Sequence, residues 1–385
     1  MKVAVTGASG LLGAQVLRAA AAAGHEVLAV TRPGSRSPTP RVAGSPVPVR
    51  TADVADERAL RRALAGVEGL VHCAAVYAFG AARAEEVSRV NVAGTGRVVS
   101  AAARAGVRQV VVTSSSVTRG SSARPEARTE RDVLGDEPSP AYYASKVAQE
   151  EAALAAGERH GIPVVLALPT VVLGGPYASL APSNAIVLRY LLDPTRSTYP
   201  GGCNVVDARD VGAGCVLLLE RGAAGQRYLL GGTDVTWRLL HTLVADLAGL
   251  PGPYAEVSRP AATLAAALAE GWGRVSGRPP LVTREEALTV GRHYWYCSAR
   301  AQALGYAARP ARDAVAASLA WLLAGVELPR WVREGLRVRP EVRAARELVP
   351  RPLADDGGGP GARPRGPQVS PRPPRSRPPS PRHPR

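Results

Sequence analysis

Through the first 170 residues, short apolar, β-branched runs alternate with longer alanine-rich stretches. Runs at residues 2–6, 26–31, 47–50, 69–73, 109–113 and 163–168 have the length and composition of buried strands. Stretches at 11–23, 56–65, 85–105 and 142–160 have the length of helices. The last runs into Gly161, the residue type that most easily takes the left-handed turn closing a helix. Strand, helix and strand in this rhythm build βαβ units, which set strands parallel and cover both faces of the sheet. The expected class is α/β, with a doubly wound parallel sheet. Such sheets bind ligands beyond the carboxyl ends of their strands, so the loops after the strands are where chemistry is expected.

After about residue 175 the alternation fades, with breaks at Pro176, Pro182, Pro194, Pro200, Pro251 and Pro253. Strand-like runs at 203–206 and 227–230 are expected to add edges to the sheet or to pair with each other. Helical segments are expected near 236–248 and 311–324.

The first loop carries the first chemical signal. Val3-Ala4-Val5-Thr6-Gly7-Ala8-Ser9-Gly10-Leu11-Leu12-Gly13 spaces three glycines between a strand and a helix. Gly7 permits a sharp turn, Gly10 lets backbone N–H groups approach a pyrophosphate, and Gly13 lets helix pack closely on strand. The helix N-terminus favours the anion. This context makes the fold a Rossmann-type one and assigns Gly7, Ser9, Gly10, Leu11, Leu12 and Gly13 to a dinucleotide. The domain plan follows: residues 1–175 form the dinucleotide-binding core, with strands continuing to about 232. Residues 176–330 form a smaller mixed C-terminal substrate-binding region interleaved with the sheet, and 331–385 a basic tail, mostly disordered.

In this fold the end of the second strand selects the cofactor: an acid there holds the adenosine ribose, whereas a cation accommodates a 2′-phosphate. The strand ends Val30-Thr31-Arg32, with Arg36 nearby and no acid. That favours NADP (NADPH) over NAD. After the third strand Asp53, beside Val54, is available to the adenine, because Asp56 is the better cap for the next helix. Tyr142 and Lys146 stand four residues apart on one helix face, where an ammonium lowers the phenol's pKa from about 10 and can also hold ribose hydroxyls. The chain has two lysines, Lys2 and Lys146, and uses arginine elsewhere. A compact ammonium is evidently tolerated or required at 146. The fifth strand delivers Ser114, Ser115 and Ser116 to the sheet's carboxyl edge, where one of them is expected to donate to a developing oxyanion.

Composition changes the picture only at the margins. At 46% hydrophobic, 385 residues can bury a sizeable core. The net charge of +16 suggests nucleic acid until it is mapped: residues 351–385 hold eight arginines against Asp355 and Asp356, and the rest shows no basic cluster interleaved with aromatics. No nucleic-acid partner is expected. Proline, arginine and glycine make up 24 of those last 35 residues, too little apolar surface to offset ordering entropy. Cys73, Cys203, Cys215 and Cys297 are far apart, expected to be reduced and mostly buried, and the six histidines lack paired spacing, so no metal is expected. The chain opens on an apolar strand without a leader, and no stretch approaches the roughly 20 apolar residues of a membrane span. A soluble, cytoplasmic protein with a small-molecule substrate is expected, with room for a homodimer.

Taken together, these motifs resemble the extended or atypical short-chain dehydrogenase/reductase family (NAD-dependent epimerase/dehydratase). Within it they are most similar to dihydroflavonol-4-reductase-like proteins and the hopanoid-associated sugar epimerase group. The likeness covers roughly residues 1–325 and rests on Thr6 to Gly13, His72-Cys73-Ala74-Ala75, Asn91-Val92-Ala93-Gly94-Thr95, Thr113-Ser114-Ser115, Tyr142 with Lys146, Leu168 to Gly174, and Val206 to Val211. It implies Ser115 as the catalytic serine, Tyr142 as acid/base and Lys146 as its partner. It also implies Asn91 as a supporting polar residue, Ala74 and Ala75 along the cofactor cleft, and Pro169, Thr170, Val171 and Val172 over the nicotinamide. Sugar epimerases of the family generally place an acid where this chain has Arg32, whereas Tyr228-Leu229-Leu230-Gly231-Gly232 resembles the hopanoid-associated group. The leading expectation is an NADPH-dependent reductase of a ketone or aldehyde. A sugar epimerase or dehydratase using the same triad is the alternative, and a dinucleotide-binding sensor without turnover is a third.

Overall fold

The structure, a computed structural model, describes residues 1–35, 37, 39–76, 84–135, 139–175, 180–277 and 283–347. Arg36, Pro176 and the part of the expected tail from 348 lie outside them. Residues 331–347, expected to belong to that tail, instead form helices Arg330–Gly335 and Pro340–Glu347, because Val332, Leu336 and Val342 are apolar enough to be buried in a core. Residues 1–350 form one compact unit.

Seven parallel strands make the main sheet, in the order Arg227–Leu230, Val164–Pro169, Gln109–Thr113, Gly69–His72, Lys2–Thr6, Glu26–Thr31, Val49–Thr51. The apolar runs are nearly continuous because both faces of the sheet are covered, so alternate residues enter different cores. Val3 and Val5 face a core shared with Val16 and Leu17 of helix Leu11–Ala22 and with Val211 and Leu218 of helix Ala208–Arg221. Ala4, between them, faces the opposite core, with Leu60, Val98, Val99 and Ala153 from helices Glu57–Ala63, Gly94–Arg104 and Ala141–His160. Each fully buried Val or Leu contributes about 1.5–3 kcal/mol. The first two helices named approach closely at Gly212, where a Cβ would stand 2.8 Å from the Gln15 backbone.

The chain runs outward from Lys2–Thr6 to one edge and returns to its other side at Gly69–His72. This reversal opens a crevice between two carboxyl ends, the usual ligand position in such sheets.

Arg227–Leu230 adds an edge, as expected. The run at 203–206 does neither of the two things expected of it. As strand Gly202–Asp207 it leaves the main sheet, pairing in parallel with Val171–Leu173 and His293–Tyr294 and antiparallel with Thr233–Thr236. Cys203 and Val205 enter a third core with Val187, Leu240, Val244, Leu319 and Leu322. That core builds the C-terminal part from helices Pro182–Leu192, Trp237–Ala248 and Ala311–Ala324. The helix at Ala141–His160 ends on Gly161 at φ 65°, as its sequence suggests. Of the four free thiols, only Cys203 and Cys215 are buried, while Cys73 is half-buried and Cys297 exposed on the segment following His293–Tyr294. No described helix is long and apolar enough to cross a membrane.

Candidate active site

Gly7 takes φ 65°, and a Cβ there would lie 2.7 Å from the Ala74 amide nitrogen. The two strand ends flanking the crevice therefore touch through a glycine that no other residue type could replace without strain. Gly13 has the same constraint from the helix side: its Cβ would come within 2.7 Å of the Gly7 carbonyl carbon. Around Gly10 a Cβ would meet only the Gly7 oxygen, at 3.3 Å. Gly10 starts helix Leu11–Ala22 without a side-chain cap, so first-turn N–H groups are left for a ligand. A glycine cradle, open at its middle member and seated on a helix N-terminus, fits a dinucleotide pyrophosphate.

At the second strand's end Arg32 is exposed, ahead of a turn closed by Ser35 N–H donating to its carbonyl (3.1 Å). Asp56 caps Glu57–Ala63, accepting from Ala59 N–H at 2.9 Å. Asp53 is half-buried and spends Oδ1 on Ala55 N–H (2.8 Å). Val54 packs inward against Gly94, whose Cβ would sit 3.0 Å from its methyl.

The stretch 85–105 is not one helix. It divides into Ala84–Val87, a wide π-helical turn Ser88–Ala93, and Gly94–Arg104. The fully buried Asn91 lies on the wide turn; its Oδ1 accepts from Val76 N–H and its Nδ2 donates to Val76 C=O, both at 2.8 Å. This clamp anchors the end of the segment Cys73–Val76 that leaves the fourth strand. Ala74 is half-buried and Ala75 exposed in that segment.

Tyr142 and Lys146 are both buried on helix Ala141–His160, and the Lys146 Nζ lies 5.8 Å from the Tyr142 ring centroid. Tyr143 is buried too, but turns its ring edge-on to Tyr294 at 6.1 Å. Burial pulls the Lys146 pKa from 10.5 to about 8, against the charge of Glu150 and the influence of Cys73. The Lys146 ammonium donates to Gln149 Oε1 (2.7 Å), Gln149 Nε2 donates to Thr95 Oγ1 (3.0 Å), and Thr95 Oγ1 meets His72 Nε2 (3.1 Å). His72 Nδ1 in turn meets Thr6 Oγ1 (2.7 Å), which accepts from Ala74 N–H at 3.3 Å. Burial, with the Lys146 charge second, lowers the His72 pKa from 6.5 to about 3, so this link is neutral.

The three serines have different fates. Ser114 is buried and donates to Glu150 Oε1 (2.7 Å), and Ser116 is buried next to Tyr296. Ser115 alone is half-buried, its Oγ accepting from Val117 N–H at the start of a short 3₁₀ turn, at a long 3.4 Å.

A glycine cradle at the sheet reversal and a buried Tyr–Lys pair on one helix are the frame onto which comparison with known proteins falls. The model of the NAD dependent epimerase/dehydratase family matches residues 3–231. The chain belongs to this family. Its members bind a nicotinamide dinucleotide, and the chain is accordingly an NAD(P)-dependent oxidoreductase or epimerase enzyme. It is similar to sterol demethylase protein B of Methylococcus capsulatus, with 34% identity over 66% of this chain and 76% of that protein. It is also similar to dihydroflavonol 4-reductase of Zea mays, 30% identical over 64% of this chain and 73% of the relative. The solved structure of DesIV, a dTDP-glucose 4,6-dehydratase from Streptomyces venezuelae with NAD and TYD bound, superposes with a TM-score of 0.65 at 25% identity, covering 83% of this chain and 96% of that one.

In this epimerase/dehydratase-family enzyme several site-building residues escaped the sequence reading. Gln149 and Glu150 follow Lys146 by three and four positions, a spacing that puts them on its helix face and could have flagged them. Glu150 is almost fully buried and accepts from Ser114, Arg119 Nη2 (3.2 Å) and Arg227 Nε (2.8 Å), joining helix Ala141–His160 to an edge strand. Thr95 and His72 lay within motifs already singled out, but nothing local marks them as partners. Farther along, Pro169 ends the sixth strand and Thr170 Oγ1 donates to Asn204 Oδ1 (2.8 Å). Val171 and Val172 then open the smaller sheet.

Proposed function

We propose that the chain is a reductase of a ketone or aldehyde, using NADPH in preference to NADH, with Ser115, Tyr142 and Lys146 as its catalytic group. The observation that carries the reading is the buried Tyr142–Lys146 pair, with the ammonium 5.8 Å from the phenol ring and its pKa drawn to about 8. Gly7, Ser9, Gly10, Leu11, Leu12 and Gly13 hold the pyrophosphate. Asp53 and Val54 border the adenine, Ala74 and Ala75 line the cleft, Pro169 to Val172 cover the nicotinamide, and Arg32 meets a 2′-phosphate. When bound, the dinucleotide supplies the hydride. Ser115 donates a hydrogen bond to the substrate oxygen as it gains charge, Tyr142 gives that oxygen its proton, and the Lys146 ammonium eases the phenol's release of it. The carbonyl thereby gains two electrons as hydride and one proton, and becomes an alcohol. Residues 176–330 supply the substrate contacts.

The likeness to a dTDP-glucose dehydratase supports a second reading, in which the same three residues epimerise or dehydrate a sugar and the cofactor is regenerated within one turnover. Absorbance at 340 nm separates the two. Steady loss of added NADPH with a panel of ketones and aldehydes is expected. Conversion of a nucleotide sugar without net NADPH loss would replace the first reading by the second.

A further inference from the structure

Helix Arg259–Ser276 has a face that the fold leaves unused. Ala266 is its one buried residue. Leu264, Leu268, Trp272 and Val275 stand 63% to 82% exposed. Steps of four, four and three place them in a single stripe, on the side of the helix away from Ala266 and about 16 Å long. Small residues, Ala261, Ala265 and Gly271, fill the gaps around it.

The exposed charges of the helix itself are of one sign. Arg259 and Arg274 are exposed at the two ends of the helix. Arg284 shares a shallow groove with Arg259, Pro260, Thr263, Leu264 and Ala267. The helix has one acid, Glu270, which is held by Arg284 through its side chain (3.5 Å) and backbone N–H (2.8 Å). The whole chain carries +16, of which residues 351–385, with eight arginines against two aspartates, supply +6.

Leucine and tryptophan on one face with arginine at the margins is the make-up of helices that lie in the membrane interface, where apolar side chains enter the headgroup boundary and guanidinium groups reach lipid phosphates. One such helix binds weakly, and a polybasic segment is the usual second attachment. Two copies of this arginine-flanked face would instead repel each other. We propose that helix Arg259–Ser276 seats the enzyme on the surface of an anionic phospholipid bilayer, lying in its plane. The inference does not depend on the hydride-transfer reading.

The full chain is mixed with vesicles of equal parts phosphatidylglycerol and phosphatidylcholine, or of phosphatidylcholine alone, and sedimented. Binding is expected to the anionic vesicles, about tenfold or more weaker to the neutral ones, and to weaken as salt screens the arginines. Leu268→Glu with Trp272→Glu is expected to lower it about tenfold or more, while melting temperature and NADPH affinity stay those of the unaltered protein. Should that variant not fold, tryptophan quenching by bromine-labelled lipid in the unaltered protein decides the matter. The proposal is overturned if the unaltered chain stays in the supernatant, if both vesicle types bind equally, if the folded variant sediments undiminished, or if bromolipid leaves the fluorescence unchanged. It is also overturned if gel filtration shows a dimer that the variant converts to monomer without vesicle binding, which would assign the stripe to a second copy of the chain.

Discussion

In the proposed mechanism the phenol and the ammonium on one helix face do different work, so their removal should separate binding from chemistry. Tyr142→Phe keeps the ring's packing and removes only the exchangeable proton; turnover should vanish while fluorescence titration shows nearly unchanged cofactor affinity. Lys146→Ala should damage both. Ser115→Ala should cost roughly two to three orders of magnitude in kcat, the usual size of one lost oxyanion donor. Tyr143→Phe is the control, because its ring already faces Tyr294. A dead Tyr143→Phe beside a fully active Tyr142→Phe would show that the catalytic phenol is the wrong one. Arg32, exposed at its strand end, should account for cofactor choice. Arg32→Ala is expected to lose about 1.5–3 kcal/mol of NADPH affinity, roughly tenfold to a hundredfold, and little for NADH. Equal affinities for the two cofactors in the unaltered protein would remove this role.

Among the elements, the wide turn Ser88–Ala93 interrupts a run that reads as continuous helix and brings Asn91 to Val76. Asn91→Leu leaves both backbone groups of Val76 without their partner, at about 1–3 kcal/mol for each group that water does not reach. Urea unfolding should report a loss of about 2–4 kcal/mol, with a rise in the Km for cofactor because the cleft segment is released. Unchanged stability would mean that Val76 finds other partners. The His72 link between strand Gly69–His72 and helix Ala141–His160 has a pH signature. In the unfolded chain the imidazole takes up a proton near 6.5, but in the folded one only near 3. Between those values the unfolded state binds more protons, so stability is full above about 6.5 and falls as pH drops towards 3. The loss from this group is at most roughly 4–5 kcal/mol. His72→Gln should flatten the acid side of the stability profile relative to the unaltered protein; parallel profiles would show that His72 is not responsible.

For the whole molecule, residues 351–385 have no apolar periodicity with which to join a core. Their removal is expected to leave melting temperature and cofactor affinity unchanged. A drop of several degrees by calorimetry would show that the segment docks. Much of what the rest of the molecule became was already legible in local pattern. The strand and helix order to residue 168 apart from the break at Ser88–Ala93, the glycine spacing, the cap at Asp56, the stop at Gly161 and the Tyr142–Lys146 spacing all depend on neighbours within about four residues, and period and propensity act at that range. Tertiary structure alone decided that Gly202–Asp207 leaves the main sheet, because its partners Val171–Leu173 and His293–Tyr294 lie roughly 30 and 90 residues away and are selected by shared burial. It likewise decided that Ser114 and Ser116 are buried while Ser115 keeps contact with solvent. The chain of hydrogen bonds from Lys146 to Thr6 joins residues 66 and 54 apart, at His72 to Thr6 and Gln149 to Thr95, and no local pattern specifies it. These side chains are polar, and once packing had buried them the cost of leaving them without partners brought them together.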